Sequence, residues 1–175
     1  MAATLSSCAT PQASVLDRFE ATLGRHASAT SAMEEWCIAE HISDRPDIRA
    51  VKDPGAELAA TPAIRQALRV GPDERLGYRH VRLTCGERVL SVAHNWYVPA
   101  RLTQEMNRAL EGGDAPFGKV TAPLRYTREE RPAHRGRDRA CPGGTVLTKG
   151  AVLRLPDGTP ISLVVECYTS GILPG

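Results

Sequence analysis

The chain has 175 residues, 42% hydrophobic and 24% charged, with a formal net charge of +2. That size and balance suit one soluble globular domain burying about 70% of its unfolded surface. So weak a charge argues against nucleic-acid binding, and an aromatic content of 5% offers no base-stacking surface. No stretch approaches the ~18 consecutive apolar residues of a membrane span, and the start MAATLSSCATPQAS lacks the basic region and apolar core of a signal peptide. Five cysteines (Cys8, Cys37, Cys85, Cys141 and Cys167) form no CxxC or Cys/His spacing. The odd count argues against a disulfide framework, the spacing against a metal site, and together they favour a reducing, cytoplasmic compartment.

Residues 1–13 read as a loose leader of small residues, and 14–175 as the domain. Val15, Leu16, Phe19 and Leu23 have helical spacing, with Ser14 as N-cap and Gly24 as stop. A second helix is expected after Thr30 or Ser31, where Ser31 and Glu34 have capping-box spacing. Ile48–Lys52 reads as a short strand, and Thr61-Pro62 opens a brief helix to Leu68, which Gly71-Pro72-Asp73 breaks.

Leu76–Thr84 and Arg88–Val98 form the strongest strand pair, around a Cys85–Arg88 turn. Alternation puts Val89, Ser91, Ala93, Asn95 and Tyr97 on one face of the second strand, and Leu90, Val92, His94, Trp96 and Val98 on the other. A helix from Leu102 to about Leu110 stops at Gly112-Gly113. Phe117–Tyr126 is expected to be extended and interrupted by Pro123, and the arginine-rich stretch 125–139 to be an exposed loop. Thr145–Leu155 and Pro160–Tyr168 make a hairpin about an Asp-Gly turn. Helices first and strands afterwards predict an α+β domain with a mostly antiparallel sheet.

Tyr78-Arg79 opens the central hairpin, and Tyr97-Val98-Pro99 closes it ahead of a short helix. Asp114-Ala115-Pro116-Phe117-Gly118 is a turn, and Val164-Val165-Glu166 lies on the last strand. In this order the segments resemble the chorismate–pyruvate lyase family, whose fold also serves as the effector-binding domain of bacterial transcription regulators. The resemblance spans about residues 15–171. It implies a sheet whose short helices cover an internal ligand pocket. It also implies a cofactor-free and metal-free lyase that releases pyruvate from chorismate, or a related enolpyruvyl cyclohexadiene, to leave a hydroxybenzoate. The alternatives are a non-catalytic domain binding an aromatic carboxylate, or a natural-product tailoring enzyme. No basic recognition helix stands among the short helices of residues 1–70, so the partner expected is a small molecule.

On that resemblance Arg79 grips a substrate carboxylate and Glu166 accepts from the ring hydroxyl and assists proton transfer. Met33, Phe117 and Gly118 line the substrate, and Lys149, in Thr148-Lys149-Gly150, stands in for an arginine of close relatives. Read from the residues alone, Arg79 and Glu166 make an equally good ion pair between strands. Met33 reads as core filler, Gly118 as a turn residue, His94 as a hydrogen-bonded structural histidine, and Trp36 and Trp96 as core. Lone cysteines with no base beside them are poor nucleophiles.

Overall fold

The computed structural model describes residues 13–53 and 57–174; the expected leader falls almost wholly outside them. Five α-helices are present among the described residues: α1 (Val15–Arg25), α2 (Ala29–Ala39), α3 (Pro62–Leu68), α4 (Gln104–Gly112) and α5 (Phe117–Thr121). The strands are β1 (Ile48–Lys52), β2 (Gly77–Cys85), β3 (Arg88–Tyr97), β4 (Thr127–Glu130), β5 (His134–Arg135), β6 (Thr145–Arg154) and β7 (Pro160–Thr169). They form one antiparallel sheet in the order β1-β2-β3-β7-β6-β4, with β5 also paired to β6. The fold is therefore the α+β architecture that the sequence predicts.

Local chemistry sets the helix ends. Ser14 and Asp17 cap α1 reciprocally, and Thr61 and Thr103 accept from backbone amides at the starts of α3 and α4. The α2 start is corrected to Ala29. Ser28, not Ser31, is the N-cap, accepting from the Thr30 amide, and Glu34 pairs instead with Lys119 at 2.5 Å. Gly24 lies inside α1, and α3 ends at Arg69 in left-handed backbone before the Gly71 break. The expected extended run 117–126 is instead α5 followed by a 3-10 turn over Ala122–Leu124. Pro116 fixes its entry, and its carbonyl accepts from Lys119 and Val120. The arginine-rich loop is corrected too: it carries β4 and β5.

The sheet has two unlike faces. One is covered by α1 and α2 over a cluster including Phe19, Met33, Trp36 and Tyr168, and by α4 and α5 over Tyr97, Leu110, Phe117 and Leu153. Phe19 meets the rings of Trp36 and Tyr168 edge-on, with centroids 5.1 and 4.9 Å apart. The opposite face packs Leu68 of α3 against Trp96, Val98, Val152 and Leu163. Alternation along β3 holds from Val92 onward. At Val89 and Leu90 it inverts, because a bulge sets Leu83 opposite Ser91 but Thr84 opposite Val89.

Four cysteines are paired, Cys37 with Cys85 and Cys141 with Cys167, against the expectation of free thiols. Spacing along the chain could not show it, since tertiary packing of α2 on β2, and of the loop before β6 on β7, brings their Cα atoms to 6.4 and 5.5 Å, ordinary disulfide separations. The inference from free thiols to a reducing compartment thereby loses its premise. No helix among the described residues is long and apolar enough to cross a membrane.

Candidate functional site

A cavity of about 50 Å³ lies in the seam between the two helix pairs. The N-terminus of α2 (Ser28, Ala29, Thr30) and the start of α5 (Pro116, Phe117, Gly118) roof it, and Tyr126 and Arg128 close one side. Its floor is the sheet. Register aligns Arg79 with Asn95 and Val164 in one row, and Val81 with Ala93 and Glu166 in the next. Strand pairing thus brings Arg79 and Glu166, distant in sequence, onto the same face and into the same cavity. Two strand spacings, about 10 Å, separate them across the sheet, and they make no ion pair with each other.

Glu166 is matched elsewhere. Arg128 donates to both its oxygens at 2.9 and 3.3 Å, and the Tyr168 hydroxyl donates to Oε2 at 3.0 Å. Burial alone would push the Arg128 guanidinium down, but the adjacent Glu166 carboxylate outweighs it and holds the group above its ordinary value. Burial, reinforced by Glu166, raises the Tyr168 phenol well above its usual range. This pair is neutral overall and held by its own hydrogen bonds.

Arg79 is the contrast. It is 7% exposed, and its one hydrogen bond among the described residues runs from Nη2 to the Ala115 carbonyl at 3.1 Å. Nε is buried with no partner, and no carboxylate lies in ion-pair range among the described residues. Burial pushes its guanidinium down from the ordinary value. Across the strand pair Asn95, 4% exposed, accepts from Ser162 Oγ through Oδ1 and leaves Nδ2 buried without a partner. Two neighbouring residues on the cavity floor thus carry orphaned donors, an arrangement that costs about 1–3 kcal/mol per group unless an acceptor arrives.

Phe117 and Gly118 line this cavity. A Cβ built on Gly118 would stand 2.5 Å from Ser28 Oγ and 3.1 Å from the Tyr126 hydroxyl, so glycine lets the α5 backbone approach α2. Met33 and Lys149 do not line it. Met33 is fully buried among core hydrophobics. Lys149 projects beyond Arg128 into a neighbouring cleft, 3.6 Å from Glu130. His94 lies on the opposite face. Its Nε2 donates to the Ala140 carbonyl and its Nδ1 accepts from the Tyr78 hydroxyl, both at 2.9 Å. Burial and the stacked His80 ring hold its pKa low, so it is a neutral structural group. Among the described residues no cluster of three or more His, Cys, Asp or Glu is arranged to hold a metal.

Sequence reasoning missed Arg128 and Asn95 as lining residues. Asn95 was legible as facing the same way as Ala93 and Tyr97. Arg128 was hidden within a run of arginines, of which it alone pairs with Glu166.

No family model matches the chain. Among solved structures it is similar to the effector domain of PhnF from Mycobacterium smegmatis, at TM-score 0.58 and 13% identity, covering 82% of this chain and 88% of that one. It spans 64% of the longer PhnF structure. It is also similar to the ligand-binding domain of a GntR-family transcriptional regulator from Bordetella bronchiseptica, at TM-score 0.50 and 17% identity, covering 71% and 82%. These likenesses carry the fold, the chorismate lyase-like one shared with regulator domains, and not membership of the lyase family. Identity of 41% over 178 residues, covering 91% of this chain and 75% of its relative, shows that the chain belongs to the same family as the uncharacterized protein y4mC of Sinorhizobium fredii.

Proposed function

We propose that this chain is a small-molecule binding domain that captures an oxyanion, with an aromatic carboxylate as the fitting class. The observation that carries the reading is the buried Arg79 guanidinium, short of a counter-charge, beside the orphaned Asn95 amide. A carboxylate on these donors would fill both vacancies, and a planar guanidinium suits a planar acceptor. Phe117 and Leu153 give the adjoining wall an apolar character suited to a ring. The solved neighbours include an effector domain and a ligand-binding domain, which agrees with this reading. A cavity of about 50 Å³ seats a carboxylate but not a whole ring, since small-ligand pockets run to about 300–1,000 Å³. The ligand body therefore extends beyond it.

The lyase reading is the second, favoured by Arg79 and Glu166 lining one cavity. It requires Glu166 to accept from a substrate hydroxyl while both its oxygens already accept from Arg128 and Tyr168. That engagement favours binding over proton transfer. The test mixes the protein separately with 4-hydroxybenzoate and with chorismate. Saturable binding of the first, with the second left intact, is the expected result. Release of pyruvate at a rate that Glu166→Gln abolishes would replace the binding reading with the lyase. Failure to bind either compound would sink both.

A further inference from the structure

Strand β1 ends at Lys52, and beyond the bond from the Asp53 amide to the His80 carbonyl (2.9 Å) the first half of β2 has no strand partner on that side among the described residues. A cleft of about 360 Å³ occupies that edge, lined by Lys52, Asp53, Glu57 and the end of α4. Arg79 and Val81 line both this cleft and the seam cavity, so one guanidinium borders the two spaces. The cleft falls within the size range of small-ligand sites, which the cavity does not.

Its remaining charge is unbalanced. Asp53, Glu57 and Glu111 contribute carboxylates, and apart from Arg79 the one further Lys or Arg in the wall is Lys52. Lys52 Nζ donates to the Glu111 backbone carbonyl at 2.6 Å rather than to a carboxylate. Asp53 has weak partners in His80 and Arg82, at 4.0 and 3.9 Å. Glu57 and Glu111 have no ion-pair partner among the described residues. Tyr97, on Arg79's face of the sheet, and Tyr78, on the opposite face, both line the cleft.

We propose that the ligand is a zwitterion. Its oxyanion meets Arg79, its ring or chain lies against Tyr97, and its cationic group faces Glu57 and Glu111. The inference rests on the oxyanion-binding reading of Arg79 and adds the opposite end of the molecule. Acidic side chains on a surface are usually just solvated. Here they border the same cleft as a nine-tenths-buried cation lacking its counter-charge, so its lining presents both signs. A ligand bearing both charges complements both, whereas a plain carboxylate complements one.

The test titrates the full chain with benzoate, 4-(aminomethyl)benzoate and benzylamine by calorimetry, and repeats it on Glu57→Gln/Glu111→Gln and on Arg79→Ala. Each exposed carboxylate is worth only a few-fold in affinity. The expected result is about tenfold preference for 4-(aminomethyl)benzoate over benzoate, falling towards unity in the double glutamine variant, with both ligands lost in Arg79→Ala. Benzoate binding in the double variant reports that it is folded. Equal wild-type affinity for the two carboxylates, or a preference that survives the double substitution, overturns the zwitterion while leaving oxyanion capture standing. Loss of neither ligand in Arg79→Ala, or no binding of either carboxylate by the wild type, overturns both.

Discussion

Asn95 and His94 are consecutive residues of β3 that face opposite sides of the sheet, and they are finished differently. On the α3 side both ring nitrogens of His94 are hydrogen-bonded, and Trp96 Nε1 donates to the Leu58 carbonyl at 2.9 Å. On the side covered by α2 and α5, Asn95 keeps an orphaned amide and Arg79 an orphaned Nε. Unmet buried polar atoms cost free energy, and the α3 side has its own at His80 Nδ1 and Arg82 Nε; what sets Arg79 and Asn95 apart is that both line one cavity. The second side retains that cost beside a cavity, and ligand binding would recover it.

The largest effect separating the two kinds of buried charge should come from Arg128→Ala. It leaves Glu166 buried without its cation and should cost about 3–5 kcal/mol of stability in chemical denaturation. Next, His94→Gln should cost about 1–3 kcal/mol at neutral pH through lost hydrogen bonds and stacking. The wild type carries a pH signature that this variant lacks. With the folded pKa of His94 held below its ordinary 6.5, the unfolded chain binds the proton first. Stability from this group is therefore present above about pH 6.5 and lost as pH falls below it. A denaturation midpoint that falls equally with acid in wild type and variant would remove His94 from this role.

Gly118→Ala should cost about 1 kcal/mol, because the new methyl displaces Ser28 and weakens the cap of α2, and it should reduce ligand affinity. The smallest stability effect belongs to Arg79→Met, within about 1 kcal/mol of wild type, since the guanidinium it removes is already under-bonded. Its binding effect should nonetheless be the largest of the series. If Arg79→Met proves as destabilising as Arg128→Ala, the distinction between a structural and a ligand-directed arginine collapses.

The strand pairs, the terminal hairpin and the α1, α3 and α4 starts were legible because periodicity and caps are local signals. So was the shared face of Arg79 and Glu166, once register joined β2 to β7 through β3. Other features were not, three of them for reasons that lie beyond local pattern. β4 was masked because its inward residue is Arg128 rather than an apolar side chain, so alternation looked like a solvated charge run. The Val89–Leu90 phase inversion comes from a bulge that depends on the partner strand. Met33 was carried into the site by resemblance, whereas helix packing turns it into the core.

The most direct measurement is the side-chain ¹⁵N resonance of Arg79 Nε, identified by its loss in Arg79→Lys and followed as 4-hydroxybenzoate is added. A saturable shift at this guanidinium, with Arg128 little changed, is the predicted result. An Arg79 signal indifferent to saturating ligand, or a response confined to Arg128, would contradict the account.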